Sequence, residues 1–172
     1  MNMSDRVCQA EGGMRRDTLS FRCNDEEVTF AGSPGLRLSA VLREHLDCKD
    51  VKIGCNAGDC GACTVLVDAM PVCACLTAAG QVDGRQVETL RGLEQSDSLM
   101  RQLQHSFLRQ GAAQCGICTP GMLVAALALL RQNPAPDEQS VQDALGGVLC
   151  RCTGYRKIID AVMLATRMEA TV

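Results

Sequence analysis

The chain has 172 residues and a net charge of −3 with no basic block, which argues against a nucleic-acid partner. A chain of this length buries about 70% of its unfolded surface and needs no disulfide staple, so its twelve cysteines require another explanation. No run reaches the roughly 18 apolar residues of a membrane span.

Long apolar helical patterns without a secretory leader fit a reducing, cytoplasmic setting with metal-bound thiols better than a secreted disulfide scaffold. Arg15-Arg16 is not followed by the apolar stretch of a twin-arginine signal. With no Trp, one Tyr and three Phe, the core must be aliphatic.

Residues 1–16 are polar and aperiodic and read as a flexible arm carrying Cys8. Leu19–Cys23 and Glu27–Phe30 alternate apolar and polar around a turn at Asn24-Asp25-Glu26, which predicts a hairpin with Cys23 inside as a small hydrophobe. Ser39 to Asp47 reads as a helix capped by Ser39, burying Leu38, Val41, Leu42 and Leu46. His45 lies off that stripe, and Cys48 follows as a partly buried loop thiol. Beyond the segment 54–63, Thr64–Val67 and Pro71–Leu76 read as a second hairpin turning at Asp68-Ala69-Met70. Residues 82–90 read as one more short strand.

The segment between these strands carries the chemistry. Cys55, Cys60 and Cys63 fall within nine residues, and a further thiol comes back on the return strand. The spacing C-x4-C-x2-C-x11-C is that of a plant-type [2Fe–2S] cluster. Gly58 and Gly61 permit the left-handed turns and close approach that such a loop needs. Backbone amides can then face the negatively charged sulfurs. Structural zinc usually takes two short-spaced Cys/His pairs instead. Cys73 and Cys75 lie two apart on the expected strand and face one side, so the residues leave either as the fourth ligand.

The second half changes to a helical period. Asp97–Gln110 forms a helix stopped by Gly111, with His105 on its polar side. Thr119 caps a helix that starts at Pro120 and runs from Met122 to Arg131, apolar on nearly every face and therefore central. Asp137 caps Glu138–Leu145, and a last helix spans Tyr155 to Glu169. Cys115-x2-Cys118 and Cys150-x1-Cys152 each precede a helix start. The 31 residues between the pairs fold back as two antiparallel helices, so the four thiols can converge. Free amides and the positive ends of helix dipoles favour thiolates and an anionic centre there.

Three segments occur in one order: Cys55-x4-Cys60-Gly61-Ala62-Cys63-Thr64-Val65, Gln114-Cys115-Gly116-Ile117-Cys118-Thr119-Pro120-Gly121, and Leu149-Cys150-Arg151-Cys152-Thr153-Gly154-Tyr155. Together, over about residues 18–168, they resemble the iron–sulfur subunit of the molybdenum hydroxylases, the family of xanthine oxidase, aldehyde oxidoreductase and carbon monoxide dehydrogenase. The resemblance implies an α+β chain with a β-grasp ferredoxin domain over residues 17–92 and a four-helix domain over 93–172, each with a [2Fe–2S] cluster. It places the first cluster on Cys55, Cys60, Cys63 and Cys75, and the second on Cys115, Cys118, Cys150 and Cys152. It also implies a large partner subunit whose molybdopterin is contacted by Gln114 and Cys152, and commonly a medium subunit with FAD. Electrons would pass from the molybdopterin site through the second cluster and then the first to the flavin or another acceptor.

Two positions depart from the family pattern: Ala57 where Glu is usual, and Val148 where Asn is usual. No catalytic acid, base or nucleophile is evident, so substrate chemistry would belong to the partner. The competing readings are a free-standing two-cluster ferredoxin and a zinc-stabilised interaction module.

Overall fold

The computed structural model describes residues 17–167; the N-terminal arm and Cys8 lie outside them. Strand β1 (Asp17–Cys23) and β2 (Glu26–Gly32) pair antiparallel, with Leu19 opposite Phe30. Their turn places Asn24 and Asp25 at φ 52° and 68°, the doubly left-handed geometry that matches strand twist. Asn24 then reaches across the molecule. Its carbonyl oxygen accepts from the Thr89 amide at 2.8 Å, and its amide donates to the Thr89 hydroxyl at 3.0 Å.

The helix expected over 39–47 is different in kind. One turn of α1 (Leu38–Ala40) runs on into a π turn (Val41–His45), where the Leu46 amide donates to the Val41 carbonyl. Ser39 is no cap. It is buried inside the helix, and the amides of Leu38 and Ser39 donate instead to the carbonyls of Thr77 and Ala74, at 2.8 and 3.0 Å. His45 is exposed, as expected, with its ring edge-on to Phe30 at 5.0 Å.

Strands β3 (Thr64–Val67) and β4 (Met70–Cys73) form the second hairpin. The return strand ends at Cys73, so the alternation that put Cys73 and Cys75 on one side does not extend to Cys75. A 3-10 turn (Ala79–Val82) precedes β5 (Gln86–Glu88). The expected strand over 82–90 is shortened because the amides of Ala79 and Gly80 bond the carbonyls of Leu36 and Pro34, which holds this backbone away from the sheet. The sheet order is β2-β1-β5-β3-β4, with β1 and β5 parallel and the other pairs antiparallel.

Helix α2 (Leu90–Ser96) was not anticipated, because Gly92 at its centre lowers its propensity. Gly92 is there for closeness: a Cβ would lie 2.2 Å from the Asn24 side-chain oxygen. Then come α3 (Ser98–Gln110), α4 (Thr119–Gln132), α5 (Glu138–Leu145) and α6 (Arg156–Ala165). Asp97 and Asp137 cap α3 and α5 through their carboxylates, at 2.8 Å each. The cap of α4 is Cys118, one residue before the expected Thr119. Helix α6 is shorter than the expected Tyr155 to Glu169: Tyr155 is its cap and it ends at Ala165, with Thr166 and Arg167 in a turn, while Glu169 lies outside the described residues.

β3 joins two cores. It is buried along its whole length, and its side chains alternate between faces. Val65 and Val67 belong to the core of the sheet and α1, whereas Leu66 belongs to the core of α2–α6. α4 lies on that second face, and ten of its residues are buried. Arg131 near its end bridges Glu88 at 3.5 Å and Asp97 at 2.9 Å. Leu127 is wholly buried here, so Leu127→Ala should cost about 2–5 kcal/mol, read as a lowered urea midpoint.

Candidate metal centres

Three thiols of the first set, Cys55, Cys60 and Cys63, sit on the segment between the π turn and β3, and Cys75 follows β4. Asn56, Gly58 and Gly61 take φ 55°, 87° and 66° and wind the chain tightly. The winding turns amides onto sulfur: the N–H groups of Ala57 and Cys60 donate to the Cys55 sulfur at 3.3 and 3.4 Å. These donors hold the Cys55 thiol at about 7, well below its ordinary value. The Arg37 guanidinium donates to the Asn56 carbonyl from outside.

Cys63 and Cys75 are buried at the floor of the loop. Burial pushes the Cys63 thiol up to about 12, with Cys75 adding to the shift. Cys73, half-buried, stands close enough to feel Cys75, Cys63, Cys60 and Cys55, so five thiols share this neighbourhood. A Cβ on Gly58 would lie 2.4 Å from Leu76. Leu76 itself is exposed and lies against Gly58 of the loop.

The second set lies where the chain enters α4 and α6. The Cys152 thiol donates to the Cys115 sulfur at 3.5 Å, and Cys118 lies beside Cys150. Burial pushes the Cys118 thiol up to about 12. Burial also raises the Cys150 thiol, but the hydroxyl and amide of Thr153, at 3.1 and 3.5 Å, outweigh it and hold the thiol below its ordinary value. The Cys150 amide donates to the Tyr155 hydroxyl at 2.8 Å, which gives the only tyrosine a structural task. Gln114 donates to the Cys152 carbonyl at 3.2 Å. Cys115 and Cys152 are exposed, and exposed Ile117 and Leu149 flank them.

The two sets stand back to back. The Leu149 amide donates to the Cys60 carbonyl at 2.9 Å. A Cβ on Gly61 would lie 2.1 Å from the Gly147 carbonyl oxygen, and one on Gly121 would lie 2.6 Å from the Gly61 carbonyl oxygen. Val148, the position where the family usually has Asn, is buried at this seam.

All eight residues expected as metal ligands therefore fall into two neighbourhoods, each drawn from segments distant in sequence. No three His, Cys, Asp or Glu side chains among the described residues are arranged to hold one metal ion; the closest thiol contacts are between two. Soft thiolates only, sulfur-directed amides and glycine-lined walls suit an iron–sulfur cluster. Sequence reasoning missed the amide donors and the bond from Leu149 to Cys60, since neither backbone contact leaves a residue signature.

Comparison with known proteins gives the same assignment. Residues 21–100 match the 2Fe-2S iron-sulfur cluster binding domain family, and residues 89–163 match the [2Fe-2S] binding domain family. The chain is 44% identical over 152 residues to the nicotinate dehydrogenase small FeS subunit of Eubacterium barkeri, covering 88% of this chain and 96% of that one. It is 43% identical over 148 residues to the nicotine 6-hydroxylase small subunit of Paenarthrobacter nicotinovorans, covering 86% and 88%. The structure of quinoline 2-oxidoreductase from Pseudomonas putida 86 matches with a TM-score of 0.80 at 42% identity, over 90% of this chain and 98% of that one. The chain belongs to the family of small iron–sulfur subunits of the molybdenum hydroxylases. It is a member of an oxidoreductase complex. No described helix is long and apolar enough to cross a membrane.

Proposed function

We propose that this chain is the electron-transfer subunit of a cytoplasmic, multi-subunit molybdenum hydroxylase. In this reading residues 17–92 are a β-grasp ferredoxin domain and 93–172 a helical domain built on the four helices α3–α6, with α2 crossing the boundary between them. Cys55, Cys60, Cys63 and Cys75 hold one [2Fe–2S] cluster, and Cys115, Cys118, Cys150 and Cys152 hold another. Each cluster, when bound, supplies a one-electron redox centre.

The residues of the chain prepare these sites. Ala57 and Cys60 stabilise charge on the Cys55 sulfur, and Thr153 does the same for Cys150. Gln114 fixes the Cys152 segment, and both residues would face the molybdopterin of a large partner subunit. A medium FAD subunit, or another acceptor, would take the electrons.

The observation that carries this reading is the open end of the second thiol set. Cys115 and Cys152 are exposed between exposed Ile117 and Leu149, an apolar rim that a partner can cover. A free-standing ferredoxin gains nothing from an apolar rim at a redox centre. The relatives matched over nearly their whole length are named for nicotinate, nicotine and quinoline, which supports an aromatic nitrogen heterocycle as the substrate of the complex.

The test is to purify the complex through a tag on this chain and to count iron, molybdenum and flavin per copy. About four irons with molybdenum and larger partner chains is the expected result. The same iron with neither would leave a two-cluster ferredoxin. The fourth ligand of the first site has its own check, since Cys73 also touches Cys63. Cys75→Ser should lose about half the iron, whereas Cys73→Ser should keep it all; the reverse would move the ligand to Cys73.

A further inference from the structure

Two buried thiols lie outside both ligand sets. Cys23 ends β1, and Cys48 follows the π turn, 25 residues later. Read along the sequence they are unrelated. In the fold they are 5% and 4% exposed and belong to one buried cluster, where the Cys48 thiol donates to the Leu46 carbonyl at 3.6 Å. They line one cavity of about 290 Å³ with Asn24, Glu26, Leu46 and Arg91 among its walls. The cavity lies between the β1–β2 hairpin, the end of the π turn and the start of α2.

We propose that Cys23 and Cys48 are an oxidisable dithiol, a modification site that closes to a disulfide when a small two-electron oxidant such as hydrogen peroxide enters this cavity. The assignment is independent of which residues hold the clusters.

The chemistry balances within the pair and the oxidant. Cys48, as thiolate, attacks one peroxide oxygen. The O–O bond breaks, the departing hydroxide takes up the thiol proton as water, and Cys48 becomes a sulfenic acid. The Cys23 sulfur then attacks the Cys48 sulfur. The S–O bond breaks, and the second water leaves with the Cys23 proton. Two thiols lose two hydrogens, and one peroxide becomes two waters.

The surroundings assign the order of attack. The neighbouring Cys23 side chain is the main influence that lowers the Cys48 thiol, and Arg91 adds to it against burial and Asp50. The neighbouring Cys48, with burial and the charges of Asp50 and Glu26, raises Cys23. Cys48 is therefore the attacking sulfur, and Cys23 resolves. The bond would tie the end of β1 to the segment that leads into the first ligand loop.

The test uses the purified complex, titrated with hydrogen peroxide while visible absorption reports the clusters. Samples are quenched, denatured, alkylated, digested and mapped by mass spectrometry. The expected species joins the Cys23 and Cys48 peptides, is lighter by two hydrogens, and is present before cluster absorption falls. Cys48→Ser should abolish it. Cys23→Ala, which suits the apolar surroundings, should abolish it too and leave Cys48 as a sulfenic acid trapped by dimedone. The proposal is overturned if both thiols are still fully alkylated when the cluster absorption has gone, or if Cys23 pairs with ligand cysteines as readily as with Cys48.

Discussion

Gly61→Ala should be among the most damaging single substitutions in this chain, lowering stability by at least about 3 kcal/mol and stripping iron from both sites. Two costs add. The residue sits at φ 66°, where an L side chain is strained by about 1–2 kcal/mol. The added methyl would also stand 2.1 Å from the Gly147 carbonyl oxygen and 2.9 Å from the Val148 Cα. Both neighbours are backbone, so no rotamer relieves the clash. The ligand loop must back away from the helices, and the bond from the Leu149 amide to the Cys60 carbonyl lengthens with it. The check is iron per chain together with a urea unfolding midpoint. Gly147→Ala is the control on the other side of the same seam. It meets no neighbouring atom and should leave both measurements near those of the parent. Equal behaviour of the two variants would show that the seam tolerates expansion.

Cys118→Ser should remove about half of the iron, about two atoms of about four, and leave the first site intact. Cys118 is buried at the cap of α4 and touches Cys150. Its thiol is held up at about 12 by burial, so iron binding must drive the proton off. A serine hydroxyl is a harder and far less acidic donor, and it does not compete for soft-ligand iron. Serine is nonetheless a favoured helix cap, so α4 should form as before and helix content by circular dichroism should not change. That separates ligand loss from misfolding. Low-temperature electron paramagnetic resonance of the reduced complex should then go from two rhombic signals to one. A variant that keeps all its iron and both signals would exclude Cys118 as a ligand.

Much of this architecture was legible from side-chain pattern. The two hairpins, α3, the all-round burial of α4, and the cap and span of α5 follow from alternation, period and punctuation over short windows. What escaped were features set by backbone contacts between distant segments. Ser39 looks like a cap, yet Ala74 and Thr77 satisfy the amides it would have served. Val82 looks like a strand residue, yet Pro34 and Leu36 claim the adjacent amides. Leu66 reads as one more strand residue, and only the fold reveals that it faces the helices while Val65 and Val67 face the sheet core. The thiol spacing picked out the cysteines that the fold gathers into two neighbourhoods, because short loops constrain where their side chains can go. It could not link Cys23 to Cys48, because no motif spans the 24 residues between them. It also could not rank Cys73 against Cys75, because the strand that would align them stops between the two.

The unequal cover of the two thiol sets bears on how such a protein is manufactured in a cell. The first set has two sulfurs sealed in the core. The second presents Cys115 and Cys152 to solvent, near exposed Ile117 and Leu149. In the proposed complex a newly made chain would mature its first site alone, while its second would stay open to oxygen and to scavenging chelators until the partner docked. Docking would then act as the final quality-control step, and chains produced in excess of their partner would be the ones that proteases recognise as unfinished.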